Sequence, residues 1–418
     1  RTKTGIGVDY HYYGTGDRGG APHEVDVKNL LNSLEKPGLF DLFIGSSDQL
    51  YRDLQTQDTS RFPTYAGDLL LVEHSAGSLT SQAQMKALNR ANELSADAAE
   101  RASVIANWLG GIPYPARKLE QAWTKFLAAQ MHDILPGTSL PSAYEFSWND
   151  EFIASNFFKD ITRNAARVID RTLDTRVGGT ALVVHNPLAY AREELAEAWV
   201  TGRGPWIAMA PDGTTSPVQI LEIKDGKTRI TFLTKTPAVS AGVYDLLPTQ
   251  IAPENQVHAD SRSLENERYR VRVNSDGDVA SILDKRLGRE LLSAPIRLAF
   301  QGERPRSWPA WNMDWEDRKK PPFAYVDGKA KIELVEPGPL RAALRVTRKR
   351  LGSTFIETIR LGAGSAFVEF DTQINWRTRG ASLKATFPLT ASNPQATYSW
   401  GVGTIQRGNN QENRYEVP

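Results

Sequence analysis

Cysteine is absent from the 418 residues. Disulfides, thiolate catalysis and sulfur ligands are thereby excluded, and any bound metal has to be held by His, Asp or Glu. Histidine itself is scarce, six in all, which sharpens interest in each one. No apolar stretch approaches the ~20 residues that span a bilayer. No secretory leader is present either, but the chain opens "RTKTGIGVDY" rather than with methionine. That opening reads like the interior of something longer, so the missing leader assigns no compartment. Charge of one sign is lacking too: 50 Lys and Arg stand against 49 Asp and Glu, interleaved rather than in blocks. Without a basic stripe, a nucleic-acid partner is not expected, and a small neutral one suits the chain better.

What is present is an ordinary globular composition, 40% hydrophobic and 24% charged, enough for two or three domains with sizeable cores. The texture changes twice. Residues 1–66 mix alternating apolar positions, glycine-rich turns and the short run "LFDLFIGSS", expected to be buried, which together suggest a piece of α/β structure. Residues 67–178 are helical in period. Met85, Leu88, Ala91, Leu94, Ala98, Ala102, Ile105 and Leu109 recur at three- and four-residue steps, predicting a long helix capped by Thr80 or Ser81 and closed by Gly110-Gly111. A second helix is expected from Pro115 to Ile134, with Leu119, Trp123, Phe126, Leu127 and Ile134 inward. A third is expected after Asn149, with Ile153, Phe157, Ile161, Ala165 and Val168 in register. Three such stripes with short connections make a bundle.

From 179 to 418 the period falls to two. "YRVRV", "KIELV", "AALRVTRK" and "FVEFDTQINW" read as strands, with turns at Asp225-Gly226, Asp276-Gly277 and Asp327-Gly328. The expected fold class is therefore α+β and multidomain: the end of an α/β domain, a three-helix bundle, then antiparallel β-sandwich domains. The last residues, "NRYEVP", supply no terminating element, and the β region is expected to be truncated.

Several stretches carry chemistry. In "AAQMHDILPGTSL", His132 and Asp133 stand side by side where the helical pattern meets Pro136 and Gly137. On a helical wheel centred on Trp123, His132 falls away from the apolar stripe, so it is not a core histidine of the bundle. An imidazole beside a carboxylate suits zinc, although two residues cannot complete a site. "GTGDRGGAP" contains G-x-G-x-x-G at Gly14, Gly16 and Gly19, a weak dinucleotide signal because no buried strand precedes it. The loop also reads as a flexible turn, or as glycines that let a substrate approach closely with Asp17 as a general acid or base, provided another carboxylate faces it across the substrate. "SWPAWNMDWED" clusters Trp308, Trp311 and Trp315 around Asp314; indole faces beside an acid suit sugar rings, and also cover sheet edges. Glu73 and His74 precede the long helix, where polar residues usually cap.

Taken together, "YYGTGDRGGAP", "GDLLLVEHSAGSLTSQAQMKALNRANE", "QMHDILPGTSLPSAYE", "LVVHNPLAYAREE", "LENERYRVRVNSDGDVASILDKRLGRELL", "VEFDTQINWR" and "LKATFPL" resemble the family 38 glycoside hydrolases, the retaining α-mannosidases. The blocks run in family order over nearly the whole chain. The resemblance implies that His132 is one ligand of a catalytic zinc, that Asp133 contacts sugar hydroxyls, and that Asp17 is the acid/base carboxylate. Arg18 stands where bacterial relatives often carry another residue. His74 and Trp311 join them as candidate substrate contacts. The resemblance also implies an N-terminal α/β domain bearing the nucleophile and further metal ligands. "VDYH", with Asp9 and His11, lies too close to the glycine loop and in the wrong order to supply them.

The chain is thus expected to be the middle and back of a zinc-dependent α-mannosidase, inactive by itself, with mannosides or oligosaccharides as ligands. Residues 1–66 would be the remnant of the catalytic domain, 67–178 the middle domain and 179–418 the C-terminal region. Bacterial cytoplasm and periplasm both remain open as compartments, and a homo-oligomer is compatible with the resemblance. A non-catalytic carbohydrate-binding scaffold is the alternative, and a nucleotide-dependent oxidoreductase ranks below it.

Overall fold

The structure is a computed structural model that describes residues 5–16, 19–36, 38–64, 75–251, 254–399 and 401–408. Asp17, Arg18, Glu73 and His74 lie outside the described residues. The chain divides into two compact units, 1–70 and 71–418.

The first unit holds two helices, α1 (Glu24–Glu35) and α2 (Gln49–Leu54), neither of which buries a residue. The run expected to be buried is instead open: Leu39 is 97% exposed, and Phe40, Phe43 and Ile44 are also exposed. No strand forms there; Leu42, Phe43 and Ile44 instead line a cleft with Asn29 and Leu30 of α1.

The second unit begins with a bundle of α3 (Ala83–Trp108), α4 (Ala116–Ala128) and α5 (Pro141–Asp170). The buried positions of α3 are Met85, Asn89, Asn92, Ala96, Ala99, Ser103 and Ala106. Their spacing alternates four and three, the seam of a coiled coil. The expected stripe is thus rotated. Leu94 is 57% exposed, while alanines and asparagines are buried and Asn92 bonds Glu151 of α5, because small side chains let two long helices approach closely. Opposite them α5 buries Ala154, Phe158, Ile161, Ala165 and Ile169, within one position of expectation. From α4 come Leu119, Ala122 and Phe126, whereas Leu127 is exposed.

Helix ends differ from expectation as well. The cap of α3 is Gln82 in a left-handed conformation, and Ser81 is engaged elsewhere. Helix α5 starts eight residues before the expected Asn149 cap, at Pro141, where the missing proline amide costs the first turn nothing.

The β region opens with β1 (Thr180–Asn186), β2 (Arg192–Thr201), β3 (Trp206–Met209), β4 (Thr215–Lys224), β5 (Lys227–Thr236) and β6 (Ser240–Pro248). They form one sheet in the order β1-β6-β3-β4-β5-β2, folded over Ile230, Phe232, Tyr244 and Leu246. The β4–β5 turn has positive φ at both Asp225 and Gly226, the mirror-image turn that matches strand twist.

A second set follows: β7 (His258–Ala259), β8 (Ser263–Glu265), β9 (Tyr269–Val273), β10 (Val279–Asp284), β11 (Arg289–Glu290), β12 (Arg297–Gly302) and β13 (Ala324–Tyr325). Then come β14 (Lys331–Pro337), β15 (Arg341–Arg350), β16 (Ser353–Gly362), β17 (Glu369–Asn375) and β18 (Ala381–Thr386). The sheets β11-β10-β9-β8-β7 and β14-β15-β16-β17 bury Leu264, Val271, Leu344, Val346 and Ile359 in one core. That is an antiparallel sandwich. A third sheet, β13-β12-β18, adds a smaller core around Phe300 and Phe355. A hairpin of β19 (Gln395–Ser399) and β20 (Thr404–Gly408) completes the described strands. Among the described residues no helix is long and apolar enough to cross a membrane.

Candidate functional site at the bundle end

His132 and Asp133 lie on the connection between α4 and α5, not on a helix as expected, because α4 ends at Ala128. Beyond it the ladder gives way to tight turns, with Ile134 N donating to Met131 O and Gly137 N to Ile134 O. Pro136 disfavours helical backbone at Leu135, and Gly137 takes φ +90°. The chain then reverses around one carbonyl. Asp133 O accepts Thr138 N at 3.0 Å, Ser139 N at 2.9 Å and the Tyr144 hydroxyl at 3.1 Å. Tyr144, on the first turn of α5, also accepts Ser139 N at 3.0 Å. Burial raises the Tyr144 pKa, and the Asp133 charge adds to the shift.

The side chains of the pair project from this knot. The His132 side chain is 81% exposed, in keeping with a histidine outside the core, and its Nε2 lies 3.2 Å from Asp133 Oδ2. Asp133 Oδ1 accepts the Thr138 hydroxyl at 2.9 Å, which fixes the carboxylate. An imidazole and a carboxylate are the donors zinc takes. Among the described residues, however, no group of three or more His, Asp or Glu gathers in metal-binding proximity. The donors fit zinc in kind and fall short in number.

Two further loops meet the turn. Lys86, one turn into α3, donates its ammonium to Ser81 O at 2.6 Å, Leu135 O at 3.0 Å and Pro136 O at 3.1 Å. Burial lowers its pKa. A Cβ on Gly137 would stand 2.4 Å from Ser81 O, so glycine is required for the loops to close. Ser81 in turn donates its hydroxyl to Ala310 O at 2.6 Å. Gly77 N reaches Trp311 O at 2.8 Å, and Ser75 N reaches Asn312 Oδ1 at 3.3 Å.

The helix-entry segment 75–82 is therefore the joint between the His132–Asp133 turn and the tryptophan loop. Trp311 is half-buried at that joint, whereas Trp308 is 65% exposed. The first unit carries its own cleft, about 740 Å³, lined by Asp9, Tyr10, His11, Asp26 and Asp41 among others.

Lys86 and Tyr144 are not singled out by the sequence, and Ser81 is marked there only as a candidate helix cap. One signal for Lys86 was available: a cation in the first turns of a helix opposes the helix dipole and so calls for carbonyl partners.

Comparisons with known proteins follow the same geography. Residues 73–169, which include His132 and Asp133, match the α-mannosidase middle domain, and residues 264–418, which include Trp311, match the glycosyl hydrolases family 38 C-terminal domain. Alpha-mannosidase 2C1 of Mus musculus is 25% identical over 97% of this chain, and alpha-mannosidase of Saccharomyces cerevisiae 22% identical over 97%. This chain spans only 38% and 35% of their lengths. The crystal structure of an alpha-mannosidase from Enterococcus faecalis V583 superposes with a TM-score of 0.75 over 94% of this chain and 53% of its own, at 15% identity. With both domain matches in order and the fold shared, the chain belongs to glycoside hydrolase family 38 and carries the α-mannosidase middle domain and the family's C-terminal domain.

Proposed function

We propose that this chain forms part of a retaining α-mannosidase that releases terminal α-D-mannose from oligosaccharides or glycans by zinc-assisted double displacement. The observation that carries it is the His132–Asp133 pair, held by Tyr144 and Thr138 at the end of a bundle matching the α-mannosidase middle domain. In this proposal His132 is one ligand of the metal. Zinc, when bound, would supply Lewis acidity and orient sugar hydroxyls.

Asp133 accepts hydroxyls of the bound mannose, and its anchored Oδ1 keeps the carboxylate from swinging. Asp17 holds the proton delivered to the leaving oxygen and later takes one from the attacking water. A retaining mechanism also needs a nucleophilic carboxylate about 5–5.5 Å from the acid. No residue of this chain is assigned that role, so the chain alone is proposed to be inactive. His74 and Trp311 are proposed as sugar contacts.

The test is hydrolysis of an aryl α-mannoside. The protein with all its domains should release the phenol with retained configuration, lose activity to a chelator and regain it with zinc. The 418-residue chain alone should not turn over; zinc-dependent turnover by it would sink that part. Saccharide binding without zinc dependence, unaffected by His132→Ala, would instead favour a carbohydrate-binding scaffold.

A further inference from the structure

The Lys86 ammonium has three protons and meets three backbone carbonyls, from Ser81, Leu135 and Pro136. Two of these belong to the segment right after His132–Asp133, and the third to the residue whose hydroxyl holds Ala310, next to Trp311. We infer that Lys86 is a positioning residue: it sets the spacing between the His132–Asp133 turn and the tryptophan loop.

The chemistry supports a positional role over a merely stabilising one. Carbonyl oxygens converging on one point repel each other, and a compact cation with three donors is the side chain that can gather them. All three acceptors are main-chain atoms, so the ammonium fixes backbone rather than a rotamer. The turn after Pro136 has a second, independent clamp at Tyr144, which grips Asp133 O and Ser139 N. Tyr144 fixes the turn to α5, and Lys86 fixes it to α3 and ties it through Ser81 to the tryptophan loop.

Lys86→Met retains the aliphatic stem and removes the donors. In the 418-residue chain, amide hydrogen exchange at Leu135, Gly137, Thr138, Ser139 and Trp311 should accelerate about tenfold or more, while the Ala154–Ala165 amides of α5 stay protected. Lys86→Arg, which keeps charge and several donors, should recover part of that protection, and Lys86→Gln less. In the enzyme with all its domains, and resting on the α-mannosidase proposal, Lys86→Met should lower kcat about tenfold with KM changed less.

Unchanged exchange at both loops in a folded Lys86→Met chain would overturn the inference. So would protection lost evenly through the bundle, which is the signature of a general stabiliser. If Lys86→Met does not fold, the wild-type side chain is read directly: slowly exchanging ammonium protons coupled to the three carbonyls support the inference, and a freely exchanging ammonium overturns it. The exchange data stand whether or not the enzyme hydrolyses mannosides, so failure of the functional proposal is distinguishable.

Discussion

Asn92 and Glu151 face each other inside the α3–α5 seam, both buried, and among the described residues each keeps one oxygen without a partner. Asn92 Nδ2 donates to the Glu151 backbone carbonyl at 2.9 Å and to its Oε2, while Asn92 Oδ1 and Glu151 Oε1 have no donor among the described residues. Burial raises the Glu151 pKa, and the Asn92 amide only partly offsets it. Charged groups at this level of the bundle are engaged with one another: Arg90 with Glu93 on α3, and Lys125 of α4 with Asp150 of α5. A proton on Glu151 would turn one orphan acceptor into the missing donor.

The sign of the pH effect follows. The folded chain holds this proton to higher pH than the unfolded chain, whose glutamate titrates near ~4.3. The associated stability is complete below that value and is lost as pH rises through the folded pKa. Glu151→Gln, neutral at every pH and carrying its own donor, should abolish this slope and be the more stable protein at the alkaline end. An unpaired buried polar group costs about 1–3 kcal/mol, which sets the expected gap. Urea unfolding of both proteins across the acid-to-neutral range measures it, and parallel stability curves would contradict a buried neutral acid.

Gly137→Ala should be among the most damaging single-atom changes in the bundle. Its φ of +90° places a side chain in strained backbone, and the added Cβ would lie 2.4 Å from Ser81 O. Strain alone costs about 1–3 kcal/mol, and displacing Ser81 also loosens the grip of Lys86. Gly213→Ala, at φ +80° with open space around it, is the control that carries strain without the clash. A larger loss of stability at 137 than at 213 in chemical denaturation is the expected result.

Part of the architecture was legible, because period is a robust signal: the change from helix to strand after α5 and four of the sandwich strands, β9, β14, β15 and β17, follow from alternation. Facing was less so. The α3 seam is built from Asn89, Asn92, Ala96 and Ser103, side chains that hydropathy does not mark as core, while Leu94 lies outside. Small residues are selected there by how closely α5 approaches, which is a tertiary fact. The exposure of His132 and its neighbourhood with Asp133 could be anticipated, but the loop that holds them could not. Lys86 reaches across 49 residues to its Leu135, and Ser81 of the adjoining helix entry across 229 to Ala310, and no local pattern encodes such distances.

His132→Ala separates stability from function. Its side chain is 81% exposed, with Nε2 3.2 Å from Asp133 Oδ2, so folding stability should change by less than about 0.5 kcal/mol. The Asp133 carbonyl keeps its donors from Thr138, Ser139 and Tyr144, because none of them comes from His132. If the imidazole ligates zinc, the same substitution in the enzyme with all its domains should weaken metal affinity by about tenfold or more, and α-mannosidase activity should fall with it. Metal content by mass spectrometry, measured beside a thermal melt, distinguishes the outcomes. Full metal retention with an unchanged melt would reduce His132 to a surface residue, and a large drop in melting temperature would assign it a structural role that its exposure does not foreshadow.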